Sequence, residues 1–548
     1  MPSLPCRHPG HTHPGPAEPS ATTPSEADRS PRETYVPRDP TDSVLVRTVR
    51  KHLPRFLEAA AREDGWTLPA FVQDALESLA LCGDFTHGFT HFQCDRCSEP
   101  RIVPFACKGR LCVSCGGRRM AEFAAYAVDR LMPRCDYRQW VVSFPWNLRR
   151  ALAFDQDLAR AVFRIAGEVI LAWVSSAAAE EGVFGRPAGV LHIQRFGDGL
   201  TLNPHAHFVT SDAVFCATDP PEPTLSADDS VRASPVLSFR TRTPSQADVQ
   251  AVADRIERRV LRLLAAREAA RDGQEPPPDG TDQDRLARLG DVQALTDHTT
   301  LGANAGPASK LRAKKPLAAR SAAGFDVHAG VAIPSHARDA LERLLRYLAR
   351  PVVAEERLRE LPNGNIAVDL KRAWSNNVRT LTFTPMALLA RLSALVPPPA
   401  MHLTSYLGVI SPHAALRPHV LPKPPPEDGP TPVAPTRPKK MPWSDLIERV
   451  FWVDPLACRC GGRLRLVAVV KNPTAIQAIC AALHLSGHLA ENRLPRGPPP
   501  HWPPPRARQR PRPKAPMAPR PVRSRMARPK RTTPRAKRPP QSFRDAKP

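Results

Sequence analysis

Residues 200–209 read Leu-Thr-Leu-Asn-Pro-His-Ala-His-Phe-Val, and this stretch decides the interpretation of the fold. Its apolar, β-prone residues predict a strand, in which alternate side chains point to the same face. His205 and His207 are therefore expected together on one face, where two imidazoles can bind one divalent cation. The alternative is a pair of surface histidines on an edge strand.

The segments around this stretch predict an α+β fold with an antiparallel sheet. Residues 189–196 alternate as a strand, and Gly197-Asp198-Gly199 forms a turn signal before the return strand 201–210, which together predict a hairpin. A further strand is predicted at 139–144 and a helix at 151–178. The order of strand, helix and hairpin is typical of α+β domains.

Two imidazoles alone bind a cation weakly, so a third ligand is expected. On the predicted strand 189–196, His192 and Gln194 share a face, and Gln194 offers an oxygen ligand. A simple cross-strand hydrogen bond is the alternative role of Gln194.

A cysteine cluster precedes the histidines. Cys94-x-x-Cys97 and Cys112-x-x-Cys115 predict one tetrahedral zinc site in a short zinc ribbon, which implies about one zinc ion per chain. A thioredoxin-like redox pair is the alternative, although it requires only one such motif. Cys82 and Cys107 could bind a second metal, but are interpreted as ordinary buried thiols.

Cations crowd the predicted ribbon and suggest contacts with DNA, unless they are only solvated. They are Lys108, Arg110, Arg118 and Arg119.

Residues 335–350 predict an amphipathic helix with Ser335 as its N-cap, ended by Pro351. Its leucine stripe follows helical spacing, and Tyr347 falls beside that stripe, on the side of Arg343 and Arg350. A phenol in this place could meet a phosphodiester, with both arginines contacting the phosphate. Packing at the rim of the core is the alternative role of the tyrosine.

The composition points to a polyanionic partner. The 548 residues carry a formal net charge of +25, which favours nucleic acid, with an anionic membrane as the alternative. No run of about 18 apolar residues and no apolar signal core is present, so we expect a cytoplasmic protein that joins the bacterial nucleoid when bound to DNA, with no membrane partner. Residues 493–548 hold 18 lysines and arginines against the single acid Asp545. This tail could bind phosphates without sequence preference, or could be a solvated extension.

Composition and motifs together predict eight segments along the chain. They are a disordered extension (1–43), a helical segment with the zinc ribbon (44–132), the segment of the histidine hairpin (133–216), a partly disordered insertion with one helix near 246–270 (217–320), the segment of the tyrosine helix (321–418), a Pro-rich linker (419–440), a small C-terminal domain (441–492) and the basic disordered tail (493–548).

The order of these motifs resembles the HUH single-strand transposases of bacterial rolling-circle insertion sequences, the group that includes the common-region elements. The resemblance covers roughly residues 45–470 and includes, besides the cysteine and histidine motifs, the runs Trp140–Pro145, Gln194–Gly197, Arg346–Pro351 and Asp454–Cys458. It implies a small antiparallel sheet flanked by helices and an enzyme that nicks and joins single-stranded DNA at element ends. It also implies that 133–216 and 321–418 are the two parts of one nuclease domain, with 133–216 as the first part of the nuclease core.

The resemblance also implies roles for particular residues. His205 and His207 would hold Mg²⁺ or Mn²⁺ against the scissile phosphate, and Tyr347 would attack it to give a 5′-phosphotyrosine link and a free 3′-hydroxyl. Some relatives carry a second tyrosine one helical turn later, where this chain has Pro351, so a single-tyrosine enzyme is expected. The run Cys458-Arg459-Cys460 is one residue shorter than the knuckle of relatives, which argues against zinc there.

Two other functions remain open from the sequence. A plasmid-type replication initiator or relaxase would use the same chemistry, and a zinc-ribbon DNA-binding relic would have no catalysis. The histidine pair and Tyr347 favour an enzyme, because a protein that only binds DNA does not require them.

Overall fold

The computed structural model describes residues 42–62, 68–217, 236–271, 317–374, 377–422 and 441–483. The predictions for the N-terminal extension up to residue 41, for the linker from 423 to 440 and for the basic tail lie outside these ranges.

Eleven helices lie in the described ranges, apart from short 3₁₀ turns. They are α1 (Val44–Arg62), α2 (Ala70–Ala80), α3 (Val113–Arg130), α4 (Trp146–Phe154), α5 (Gln156–Ala179), α6 (Gln246–Arg271), α7 (Arg338–Leu348), α8 (Pro385–Leu395), α9 (Arg417–Val420), α10 (Trp443–Phe451) and α11 (Pro473–Ala482).

Thirteen strands accompany these helices within the same ranges. They are β1 (Phe89–Cys94), β2 (Pro100–Pro104), β3 (Tyr137–Ser143), β4 (Arg186–Phe196), β5 (Leu202–Ala217), β6 (Val236–Arg240), β7 (Ala318–Arg320), β8 (Asp326–Ile333), β9 (Leu358–Glu360), β10 (Ile366–Asp369), β11 (Thr380–Phe383), β12 (Thr404–Gly408) and β13 (Leu464–Val470).

The central sheet has seven strands in the order β12-β4-β5-β3-β8-β7, with β6 paired to β5. All of these pairs are antiparallel. The prediction of an α+β fold with an antiparallel sheet is thus confirmed, as is the hairpin of β4 and β5. Because β5 lies between β4 and β3, the histidine strand is in the interior of the sheet, which contradicts the edge-strand alternative.

Helices cover both faces of this sheet, and strand alternation divides the core accordingly. Ala206 and Phe208 of β5 pack in the cluster that includes α4, α5 and α6. Val209, on the opposite face, packs with α3 and with the leucines of α7. His207 and His205 are two and four positions from Val209 on the same strand, so their side chains point to the same face as Val209. This is the face that α3 and α7 cover.

The region predicted as one helix at 151–178 is two helices, α4 and α5. Asp155 separates them, and its carboxylate accepts a hydrogen bond from the Leu158 amide, which caps α5. Helix α5 is long and apolar enough to cross a membrane by length and composition, but 12 of its residues are buried in the core. Its apolar character therefore reflects packing against the sheet.

The tyrosine helix α7 begins later than its sequence predicts. Its N-cap is Ala337 and not Ser335, whose amide donates to the Asp136 carboxylate at 2.8 Å. The predicted leucine stripe is found at Leu341, Leu345 and Leu348, which are buried.

The predicted small C-terminal domain is not separate from the N-terminal ribbon. Strand β13 pairs antiparallel with β1, from Phe89 opposite Val470 to Cys94 opposite Leu464, and completes a three-stranded sheet with β2. This long-range pairing corrects the boundary predicted at residue 441, because the described residues 441–483 share a sheet with residues 89–104. A third sheet, β11-β10-β9, lies beside the end of the β4–β5 hairpin, where Arg357 donates to Asp198 at 2.5 Å.

Candidate metal and tyrosine site

Four polar side chains meet on the helix-covered face of the β4–β5 pair. The register places His192 opposite His207, and Gln194 opposite His205. The His205 and His207 rings have centroids 4.9 Å apart, and all four side chains are at least nine-tenths buried. A cluster of this kind is costly to bury unless its polar atoms find partners.

The hydrogen bonds of the histidines indicate which nitrogens can act as ligands. His205 Nδ1 lies 2.7 Å from the Asn203 carbonyl, which can only accept, so Nδ1 carries the proton and Nε2 the lone pair. His207 Nδ1 lies 2.9 Å from the side-chain amide of Gln139 on β3. A glutamine amide can turn without changing shape, and with its oxygen toward Nδ1–H it would leave the lone pair on His207 Nε2.

Gln194 connects this cluster to the tyrosine helix. Its amide nitrogen donates to the backbone carbonyls of Tyr347 at 3.1 Å and Leu348 at 2.6 Å. These acceptors fix the orientation of the amide, so Oε1 points away from the helix end. Among the described residues, Gln194 Oε1 and His207 Nε2 are both buried without a hydrogen-bond partner. Two buried polar atoms in this state fit a site that takes a cation.

The histidines are neutral at neutral pH. Burial lowers the pKa of His205 to about 4 and the pKa of His192 to about 3, and it holds the pKa of His207 well below its ordinary value. Neighbouring imidazoles and Arg350 add to the lowering for His207. Neutral imidazole is the form that binds metal ions.

The tyrosine ring lies beside the histidines. The Tyr347 and His207 rings are edge to face, with centroids 6.1 Å apart, and Tyr347 is 44% exposed. The Arg350 guanidinium lies 5.0 Å from the Tyr347 ring centroid and 5.1 Å from that of Phe196, between the two rings. The phenol is therefore open to solvent on one side and close to the metal-ligand candidates on the other.

Lys371 is a residue of this site that the sequence did not indicate. Its ammonium lies 4.9 Å from the Tyr347 ring centroid. Lys371 comes more than 20 positions after Tyr347 in the chain, so it reaches the ring from a different segment. The Asp198 carboxylate, in the β4–β5 turn, accepts a hydrogen bond from the Lys371 backbone amide at 2.9 Å. In the sequence, Asp198 is recognisable only as a turn residue, and no local pattern indicates this contact.

The cysteines form two clusters, and the predicted pairing of the two motifs in one site is wrong. Cys112 and Cys115 lie with Cys82 and Cys107, which we call the N-terminal cysteine cluster. Cys94 and Cys97 lie with Cys458 and Cys460, which we call the bridging cysteine cluster. Within each cluster the four sulfur atoms lie within 4.8 Å of one another.

The sequence identified both motifs but not their partners. Cys82 and Cys107, interpreted as ordinary thiols, complete the first cluster, with Sγ–Sγ distances of 3.6 Å from Cys82 to Cys112 and 3.5 Å from Cys107 to Cys115. The Gly109 amide donates to Cys107 Sγ at 3.3 Å, an arrangement that stabilises a thiolate.

The N-terminal cysteine cluster also supports the tyrosine helix. Cys112 is the N-cap of α3, which packs against α7 in the shared core. Gly116 approaches Pro351 so closely that a Cβ at this position would lie 2.9 Å from the Pro351 Cβ. A metal ion that fixes the start of α3 would thereby also restrain the end of α7.

The predicted DNA-contacting cations lie in different settings. Arg350 is at the tyrosine, whereas Arg343 and Arg118 are exposed to solvent. Arg110 lies near enough to His192 to contribute to lowering its pKa. Arg119 donates to the Lys108 carbonyl at 2.5 Å and so braces the loop that carries Lys108.

Two regions of the chain match known protein families. Residues 48–144 match a family described as "Transposase zinc-binding domain", and residues 189–417 match one described as "Putative transposase". The second match contains the histidine hairpin and the tyrosine helix, and the first contains all six N-terminal cysteines of the two clusters.

A curated relative of the chain is described as "Transposase for insertion sequence element IS801", from Pseudomonas savastanoi pv. phaseolicola. The two sequences are 27% identical over 147 residues, which is 26% of this chain and 34% of the relative. The match therefore spans about a third of the length of that relative. No solved structure matches the chain.

Together, the two matched regions support an insertion-sequence transposase with an N-terminal zinc-binding domain. More narrowly, the zinc-binding match and the similarity with the IS801 protein support the IS91 family of transposases.

Proposed function

We propose that this chain nicks and rejoins single-stranded DNA at the ends of its element, through a 5′-phosphotyrosine intermediate on Tyr347. The proposal rests on the position of Tyr347, whose ring centroid lies 6.1 Å from that of His207. Next to it are His207 Nε2 and Gln194 Oε1, two buried atoms that lack hydrogen-bond partners. A phenol next to buried nitrogen and oxygen donors without hydrogen-bond partners fits phosphoryl transfer to tyrosine.

The donor set suits a Mg²⁺ or Mn²⁺ ion held by His205, His207 and Gln194. Such a cation, when bound, withdraws charge from a phosphate oxygen and orients the phosphate for attack. Gln194 would then serve both as a ligand through Oε1 and as the anchor of the tyrosine helix through its amide nitrogen. Both functions depend on the same amide orientation, so metal binding and placement of the nucleophile are coupled.

In the proposed reaction the Tyr347 oxygen attacks the scissile phosphorus and loses its proton to water, to which the half-exposed phenol has access. A bond forms between this oxygen and phosphorus, and the bond from phosphorus to the 3′-oxygen breaks. The 3′-oxygen takes a proton from water and becomes a free hydroxyl. Because the phosphotyrosine bond conserves the energy of the phosphodiester, a 3′-hydroxyl can reverse the reaction and join a strand without ATP.

Arg350 and Lys371 would balance the negative charge that the phenolate and the phosphate bring to the site. Both cations lie about 5 Å from the Tyr347 ring centroid. The packing of Arg350 between two aromatic rings fixes its position, and the Asp198 contact fixes the backbone of Lys371. Cations held in place in this way stabilise developing charge better than mobile ones do.

Replacement of Lys371 tests this part of the proposal. Lys371→Met is expected to slow single-turnover cleavage by about 10- to 100-fold, because it removes one preorganised cation from the transition state. Lys371→Arg, which keeps the charge, should retain most of the rate. Equal rates for wild type and Lys371→Met in a quench-flow or gel time course would exclude a catalytic contribution.

The N-terminal cysteine cluster is proposed to hold a structural zinc ion. Its four sulfurs and the family match over residues 48–144 support this metal. Since α3 begins in the cluster and packs against α7, the ion would act on catalysis only through the position of the tyrosine helix.

DNA, chiefly single-stranded element ends, is the proposed partner, and the basic tail is proposed to add affinity without sequence preference. Deletion of residues 493–548 should weaken binding and flatten the plot of log affinity against log salt, because fewer counterions are released. The rate of cleavage at saturating protein should be unchanged. Fluorescence anisotropy at several salt concentrations measures the slope, and an unchanged slope would show that the tail does not contact DNA.

A covalent-adduct assay tests the function as a whole. Purified protein is incubated with Mg²⁺ or Mn²⁺ and end-labelled single-stranded oligonucleotides that tile both flanks of the gene. We expect an SDS-resistant adduct with oligonucleotides from the element ends, which depends on the metal and is not formed with the duplex. Specific binding without any adduct under these conditions would favour a DNA-binding protein that lacks catalysis.

A further inference from the structure

The bridging cysteine cluster joins two parts of the chain that are more than 360 positions apart. Cys94 and Cys460 have sulfur atoms 3.5 Å apart, and those of Cys97 and Cys458 are 3.6 Å apart. Cys458 and Cys460 lie beyond both regions that match the transposase families, which end at residue 417. We propose that this cluster binds a second zinc ion, which clasps the C-terminal segment 441–483 onto the N-terminal ribbon.

The sulfur geometry suits a tetrahedral metal site. Zinc–sulfur bonds of about 2.3 Å place sulfur atoms about 3.8 Å apart in a tetrahedron. The distances here are close to this value, and the four residues are free cysteines.

The backbone around these cysteines is shaped for thiolates. The Arg96 amide donates to Cys94 Sγ, and the Gly462 amide donates to Cys460 Sγ, each at 3.4 Å. Gly461 has a φ of +79°, and a Cβ at Gly462 would lie 2.7 Å from Cys94 Sγ. Only glycine fits these two positions without strain. The Cys458-Arg459-Cys460-Gly461-Gly462 run is thus a complete knuckle, although it is one residue shorter than the usual motif.

Polar contacts and strand pairing hold the two halves of the cluster in register. The Arg96 guanidinium donates to the Cys460 carbonyl at 3.0 Å, and the Arg463 amide donates to the Asp95 carboxylate at 2.8 Å. The β1–β13 ladder ends at Cys94, directly at the cluster. The two polar contacts are exposed and individually weak, so a metal–thiolate site would add to the energy that holds the two parts together.

The bridging cysteine cluster is connected to the tyrosine helix through the C-terminal segment 441–483. Arg449 of α10 donates to the Glu342 carboxylate of α7 at 2.6 Å and to the Asp129 carboxylate of α3 at 3.1 Å. Glu342 is buried, and its carboxylate also accepts from Arg346. An ion in the bridging cluster would keep Arg449 on this buried carboxylate and so restrain the helix that carries Tyr347.

Zinc content measured on the full-length protein tests the proposal. We expect about two zinc ions per chain in wild type and about one in the Cys458→Ser, Cys460→Ser double variant. Cys480→Ala is the matched control, because Cys480 is a buried thiol of the same C-terminal segment that belongs to neither cluster. It should retain both ions. One ion in wild type, or two in the double variant, would overturn the proposal.

Thiol labelling of the wild-type protein keeps the test valid if the double variant does not fold. Cys458 and Cys460 should resist alkylation in the native protein and react once a chelator removes the metal. Rapid alkylation of both before chelation would exclude a metal there.

Hydrogen exchange tests the connection to the tyrosine helix separately. The double variant and Arg449→Ala should both exchange faster than wild type over residues 338–348, while Arg449→Ala keeps two zinc ions. Unchanged exchange in both variants would overturn the restraint on the helix, whatever the zinc content. Neither measurement depends on the cleavage reaction.

Discussion

Tyr347→Phe is expected to abolish the covalent protein–DNA adduct, with a loss of at least about a thousandfold in the rate of its formation. The substitution removes only the nucleophilic oxygen. The ring that contacts Arg350, Lys371 and His207 is kept, so the site retains its shape and its cations. Since Tyr347 is 44% exposed, the stability should change by no more than about 0.5 kcal/mol.

The measurement pairs an SDS gel of the adduct with anisotropy of the same labelled oligonucleotide, so that chemistry and binding are separated. Binding should remain within about twofold of wild type, because no charge is lost. Tyr406→Phe is the matched control, since Tyr406 lies on β12 at the far side of β4 and should form the adduct normally. Adduct formation by Tyr347→Phe at the wild-type rate would remove this residue as the nucleophile.

His207→Ala is expected to have the second large effect, with loss of both Mn²⁺ binding and adduct formation by about a thousandfold. Its Nε2 is buried without a partner, and its ring lies beside both His205 and Tyr347. Removing the ring leaves His205 and Gln194 as the remaining proposed ligands, which hold a cation weakly.

The loss of Mn²⁺ binding, measured by electron paramagnetic resonance, distinguishes a ligand from a side chain that only packs. His413→Ala changes an exposed histidine and should leave both readouts unaffected. A melting curve shows whether the His207 variant remains folded, and His205→Gln provides a second test at a ligand whose ring is less central to the cluster. Wild-type Mn²⁺ affinity in a folded His207→Ala protein would contradict the proposed metal site.

The local patterns of the sequence predicted the elements of the site well. Alternation along residues 189–210 indicated the hairpin and the shared face of His205, His207 and Gln194, because side-chain parity in a strand depends only on neighbouring residues. Helical spacing likewise indicated the buried leucines and the position of Tyr347 at their margin.

The errors arose where distant parts of the chain meet. A Cys-x-x-Cys motif identifies a knuckle but contains no information on which knuckle it joins, so the two motifs were assigned to one site when each has partners elsewhere. The pairing of β13 with β1, which brings Cys458 and Cys460 to Cys94, leaves no local pattern. Lys371 and Gln139 reach the site through contacts of tertiary structure alone. Ser335 lies before the helix, whose N-cap is Ala337, and its amide donates to Asp136, a residue distant in sequence.

Peptide mapping of the trapped adduct tests most directly whether the phenol and the imidazoles form one catalytic site. Wild-type protein is reacted with a single-stranded element-end oligonucleotide and Mn²⁺, digested with protease and nuclease, and analysed by mass spectrometry. We expect a nucleotide joined through a 5′-phosphate to the peptide that contains Tyr347, and no such peptide from His207→Ala. Attachment to any other residue, or a Tyr347 adduct formed equally well by His207→Ala, would contradict this expectation.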